Sequence, residues 1–322
     1  MRASIRFAAL SLLSVSLLRC GSNDSAATTG GDGGASDSGV ADASPLDSGH
    51  PDSGSSLDSG STDASSDTGA DAGPFTPASL ASVALWLDGD TTTVTGTAVT
   101  AWPDQTTHHN DATQATAANQ PTLTAAASGI NNHAVVTFDG ATSFLSVADS
   151  TSLQLGSTGF SIEAVVRFPT ATTGDFGQSI YDKAASGTGV GPQLAVAHTT
   201  ATGHGAEFLA QVDGTDAVNS DFTIAAATAH RVTMQWTPDG DGGTGGTLSL
   251  AIDATAALTK HLGALLDIGA PGIAVAIGRS TTGSALAQFF KGDIAAIVVV
   301  NGPISSGDST KLDAYLQARF GL

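Results

Sequence analysis

Cysteine is almost missing from the 322-residue chain: there is one, Cys20. Everything after it is therefore without a disulfide or a thiolate metal site. Glutamate is nearly as scarce, with only Glu163 and Glu207 among 30 acidic residues. Basic residues number 11, and three of them precede Cys20. From Pro74 onward 20 acidic residues face 8 basic ones, a net charge of −12. Such a surface repels phosphate backbones, which argues against nucleic acid as a partner. It also repels anionic lipid and acidic polysaccharide unless cations intervene. The helix formers Glu, Lys and Arg are few, while β-branched residues and turn glycines are plentiful, so strands should dominate.

The N-terminus carries an export address. Arg2 and Arg6 precede an apolar run of twelve residues, Phe7 to Leu18. A bilayer span needs roughly 20, so this run matches the core of a signal peptide. It ends Leu17-Leu18-Arg19-Cys20-Gly21. That end is similar to a bacterial lipobox, which implies lipidation of Cys20 and an outer-membrane or cell-surface lipoprotein. Arg19 departs from the small residue such motifs favour, and ordinary cleavage near Ser22 would instead release a secreted protein. Residues 1–20 are read as the signal. Residues 21–73 form an Asp/Ser/Gly-rich stretch in which Asp-Ser-Gly recurs at Asp37, Asp47, Asp52 and Asp58. Its only bulky aliphatics are Val40, Leu46 and Leu57. So little apolar surface cannot offset the entropy of ordering, and a disordered tether averaging about 40 Å is expected.

Residues 74–322 carry strand patterns. Phe160, Ile162, Ala164, Val166 and Phe168 alternate, as do Val232, Met234 and Trp236, and Leu248, Leu250 and Ile252. Period two marks half-buried strands. Ile294 to Val300 is apolar at every position, which predicts a strand covered on both faces. Further strands are expected at 84–87 and near 134–138, 144–148, 178–183, 191–198, 206–213 and 272–278, separated by turn signals such as Asp139-Gly140 and Asp213-Gly214. One helix is expected, capped by Ser305 or Ser306, with Asp308 in its first turn. Leu312, Tyr315, Leu316 and Phe320 would share a face, and Gly321 would end it.

Several segments in order resemble the laminin-G-like, concanavalin A-like superfamily. They are Leu85-Trp86-Leu87-Asp88, Trp102-Pro103-Asp104, Val136-Thr137-Phe138-Asp139-Gly140, Phe160-Ser161-Ile162-Glu163-Ala164, Ile277-Gly278-Arg279-Ser280 and Phe290-Lys291-Gly292-Asp293-Ile294. The resemblance implies an all-β, two-sheet antiparallel jelly-roll sandwich with a short C-terminal helix. It leaves function open, because one fold hosts lectins, adhesion modules and glycosidases.

Retaining glycosidases need two carboxylates about 5 Å apart. The Glu-rich strand motif of the family's glucanases is absent, so no enzyme is expected. The expected function is a surface module binding polysaccharide, surface glycan or an extracellular protein, with membrane contact only through the lipid anchor. The alternatives are a glycan-active hydrolase or lyase using an unrecognised carboxylate pair, and a structural envelope protein without a discrete ligand. Calcium is the one cofactor the resemblance suggests, at Asp139 and at Asp239 with Asp241, although Asp239 and Asp241 also suit a plain hairpin turn. Sugar faces stack on exposed rings. Trp102 is read either as a core plug or as such a platform. In the second case Asp104, His108, His109 and Asn110 would surround it with polar groups.

Overall fold

The apolar segment 294–300 becomes the middle of the longest strand, and both of its faces are covered. In the computed structural model Ile294, Ile297 and Val299 point into one core, and Ala295, Ala296, Val298 and Val300 into a second. A bulge between Ile294 and Ala296 inserts one extra residue, which is why the inward positions run 294, 297, 299. The structure describes residues 74–156, 158–169, 178–186, 189–198, 206–212, 217–220, 224–240, 245–263, 269–281 and 288–322. The signal, Cys20, the tether and Asp241 lie outside them.

Among the described residues there are seventeen strands. The first seven are β1 (Val83–Asp88), β2 (Thr93–Thr95), β3 (Ala98–Trp102), β4 (Ala112–Thr113), β5 (Thr122–Thr124), β6 (Val135–Asp139) and β7 (Leu145–Val147). Next come β8 (Phe160–Arg167), β9 (Gln178–Asp182), β10 (Gln193–His198), β11 (Ala206–Gln211) and β12 (Ala217–Asn219). The last are β13 (Ala229–Pro238), β14 (Gly246–Ile252), β15 (Leu258–Leu262), β16 (Val275–Ile277) and β17 (Lys291–Asn301). One helix, α1 (Ser306–Phe320), follows.

Every pairing between these strands is antiparallel. One layer runs β17–β8–β13–β14–β15, with β1 and β6 sharing the free edge of β17. The other runs β7–β16–β9–β10–β11–β12. The expected picture of two separate sheets needs correction. Strands β5, β3 and β4 carry hydrogen bonds continuously from β6 round to β7, and β12 approaches β14 and β15 at the opposite side. The result is all-β and barrel-like, wrapped around the main core.

The alternating positions read from the sequence line that core: Phe160, Ile162, Ala164, Val166, Phe168, Val232, Met234, Trp236, Leu248, Leu250 and Ile252 are all buried in it. The second core lies between the outer face of β1–β17–β8 and α1. Ser305 caps α1 by accepting a hydrogen bond from the Asp308 amide at 3.0 Å. Leu312, Leu316 and Phe320 are buried, while Tyr315 is half-buried with its ring 6.2 Å from that of Trp86. Burial of each apolar side chain stabilises by roughly 1.5–3 kcal/mol. Gly321, with φ 67°, closes the helix by donating its amide to the Gln317 carbonyl at 2.8 Å.

Candidate functional site

The outward face of β8 alternates with the core face and carries Ser161, Glu163, Val165 and Arg167. Val165 lies in the second core beneath α1. Arg167 lines a cleft of about 450 Å³ together with Asp293, Thr137 and Lys291. Phe138, Pro169, Ala227 and Gly292 supply its apolar wall. Ligand clefts typically measure roughly 300–1,000 Å³ and pair an apolar lining with a few polar groups.

Strand register builds the polar part. Asp293 on β17 stands between Thr137 on β6 and Arg167 on β8. Arg167 donates to Asp293 Oδ2 from Nε at 2.9 Å and from Nη2 at 2.7 Å. It also donates to the carbonyls of Gly129 at 2.9 Å and Ser128 at 3.2 Å. A guanidinium has five N–H groups, so one on Nη1 remains for a ligand. Thr137 donates its hydroxyl to Asp293 Oδ1 at 2.6 Å, and the proton between Thr124 and Thr137, 2.7 Å apart, must then come from Thr124. Lys291 is exposed at the rim. Gly292 has φ 150°, and a Cβ there would stand 2.5 Å from the Arg167 carbonyl, so the close approach of β17 to β8 requires glycine. The side chains of Arg167, Lys291 and Asp293 sum to +1 in a domain of net −12.

The residues singled out from the sequence have other surroundings. Trp102 is wholly buried and donates Nε1–H to the Asp88 carbonyl at 2.7 Å, so of its two readings the core plug is the one observed. Asp104 accepts from the Trp86, Thr106 and Asn110 amides and the Thr106 hydroxyl, at 2.7 to 3.0 Å. Asn110 donates to the Ala84 carbonyl at 2.7 Å and to the Ser152 hydroxyl at 2.9 Å. These three residues brace one loop, and of the five residues singled out His108 and His109 are the two whose side chains are exposed. The calcium expectation meets a similar use of its oxygens. Asp139 Oδ1 accepts from the amides of Ala141, Thr142 and Ser143 at 2.8 to 2.9 Å, and those bonds outweigh burial and hold its carboxyl below the ordinary range. Asp239 faces His261 at 3.0 Å. Among the described residues no three His, Cys, Asp or Glu side chains gather as a metal site.

Among the described residues three carboxyls, Glu163, Asp182 and Glu207, are at most 1% exposed. Burial pushes Glu163 up to about 7, against a smaller downward pull from Arg231. Burial also raises Asp182 despite hydrogen bonds from Thr281, Ala184 and Ser280. Asp182 and Gln193 share the outer face of β9 and β10, with Gln193 Nε2 donating to Asp182 Oδ2 at 2.7 Å. Asp182 and Glu207 make no catalytic pair: Gln211 aligns with Gln193 and thus with Asp182, and Glu207 lies four residues further along β11. At about 3.4 Å per residue and two inter-strand steps of about 4.8 Å, that is on the order of 16 Å.

No family model matches the chain and no curated protein matches it. Similar solved structures include an arabinofuranosidase complexed with arabinofuranosyl-α-1,2-xylobiose, at 14% identity and TM-score 0.47, covering 69% of this chain and 51% of that one. A Trypanosoma rangeli sialidase in complex with sialic acid shows 14% identity and TM-score 0.45, covering 73% and 33%. The binding domain of Paraclostridial Mosquitocidal Protein 1 shows 9% identity and TM-score 0.46, covering 74% and 52%. The chain thus spans between a third and a half of their lengths. Likeness at this level fixes neither substrate nor reaction for this chain. The expectation that it is not an enzyme is withdrawn: the similar structures include an arabinofuranosidase and a sialidase. Glu163 and Asp182 are carboxyls that burial shifts toward their protonated form.

Proposed function

We propose that the folded domain is a laminin-G-like jelly roll that engages a glycan at the Arg167–Asp293 cleft. The chain would be exported and held to the membrane by lipid on Cys20. One observation carries the proposal: the cleft joins an apolar wall to polar groups whose bonding is incomplete. A sugar offers the matching chemistry, since its C–H face covers apolar surface and its hydroxyls both donate and accept. The spare Nη1 hydrogen of Arg167 would donate to a sugar hydroxyl, and the second lone pair of Asp293 Oδ1 would accept from a neighbouring one.

Glycan hydrolysis remains within the proposal, and the experiment reads it separately. The full chain is screened on a glycan array with and without calcium, and each bound glycan is then assayed for release of reducing sugar. Saturable binding that Asp293→Asn weakens, measured well below the lowered melting temperature of that variant, is the expected result. Release of reducing sugar would make the domain a hydrolase at the same or another face. An array without a saturable hit would overturn the proposal.

A further inference from the structure

The apolar wall of the cleft is held by a histidine that the sequence did not single out. His230, near the start of β13, is buried between the rings of Phe168 and Phe208, with centroids 6.3 and 6.2 Å away. Its Nδ1 lies 2.8 Å from Asp253 Oδ2 and its Nε2 lies 2.8 Å from the Ala225 carbonyl. Both partners only accept. An imidazolium, with hydrogen on both ring nitrogens, satisfies both acceptors at once. Neutral His230 could keep one bond, but its other nitrogen would set a lone pair against an oxygen 2.8 Å away.

The Ala225 carbonyl belongs to a short turn. Ile224 fixes one end by donating its amide to the Ala206 carbonyl at 2.7 Å. Ala227 fixes the other by donating to the Phe168 carbonyl at 2.7 Å, and it adopts φ 61°, an unfavourable conformation for alanine. Ala227 lines the cleft. A strained residue persists only while its surroundings hold it, and the His230 bond to Ala225 is part of that hold.

We propose that His230 is a proton-operated latch on this wall: protonated, it ties the Ala225–Ala227 turn to Asp253, and deprotonated, it lets the turn go. The charged groups around it are few. Asp253 faces it from the turn after β14. Arg231 follows it in the chain, donates Nη2–H to the Asp253 carbonyl at 2.7 Å and pairs with Asp313 of α1. Phe168 and Phe208 bring no charge, and Arg167 and Glu207 beside them in sequence point to the opposite face. Burial opposes the charge on His230, but the hydrogen bonds to Asp253 and Ala225 outweigh it, and the net shift is upward from 6.5. Below pH 6.5 the latch is fully made; it is lost as pH rises through the folded-state value.

The test needs no ligand, so it stands apart from the glycan proposal. Imidazole resonances of the full chain are followed by NMR from pH 5 to 9, with protection factors for the Ala227 amide from hydrogen exchange. His230 is expected to hold both protons at pH 6.5, and Ala227 protection to fall about tenfold as it titrates. His230→Gln should flatten that pH dependence, and if this variant does not fold the wild-type titration decides alone. A neutral His230 at pH 6, or Ala227 protection unchanged across its titration, would overturn the latch.

Discussion

Glu163 stands in the middle of β8, between Thr233 and Val298 on the neighbouring strands, with Oε2 buried and unpartnered. Its carboxyl is raised to about 7 by burial, from 4.5. The folded state therefore favours the protonated acid. Its contribution to stability is full below pH 4.5 and is lost as pH rises through about 7. Glu163→Gln is expected to stabilise the domain at pH 8 by on the order of 3 kcal/mol and to change little at pH 4.5. Paired denaturant melts at those two pH values check this, and equal effects at both would contradict it. Asp293 tests the opposite situation, a carboxylate with donors on both oxygens. Asp293→Ala should cost about 1–3 kcal/mol, because Arg167 loses its charged partner in a half-buried place. Neither role was legible from residue type. Arg167 could be assigned only to the outward phase of its strand, and its pairing with Asp293, 126 positions away, depends on strand register. Trp102 was readable either as core plug or as platform, and its indole N–H reaching the Asp88 carbonyl inside agrees with the core plug.

At the scale of elements, the parts with strong periodicity were readable. β8, β13 and β14 alternate cleanly, β17 is apolar on both faces, and α1 carries its cap, face and stop in one stretch of sequence. The strands β2 to β5, β12 and β15 were not foreseen. They have two to five residues each, most are rich in Thr and Ala, and they owe their form to partners rather than to pattern. The joining of two layers through β3, β4 and β5 was hidden for the same reason. The helix offers a direct check of its local signals. Ser305→Ala should cost about 1 kcal/mol by removing the cap. Leu316→Ala, which opens a hole in the second core, should cost about 2–5 kcal/mol. A Leu316→Ala effect no larger than that of Ser305→Ala would mean that α1 adds little to the fold.

At the scale of the whole molecule, charge and address frame the function. A domain of net −12 gathers two of its eight cations at one cleft. The anchor proposed at Cys20 predicts that Cys20→Ala moves the protein from the membrane fraction to the soluble fraction; a wild-type mature chain starting at Asn23 in mass spectrometry would refute it. The central claim is the glycan at the Arg167–Asp293 cleft, and its most direct measurement is a chemical-shift map of the amides as a glycan bound on the array is titrated in. The changes should centre on Thr137, Arg167, Ala227 and Gly292. Changes centred on the loop of His108, His109 and Asn110, or on the outer face around Asp182 and Gln193, would contradict it.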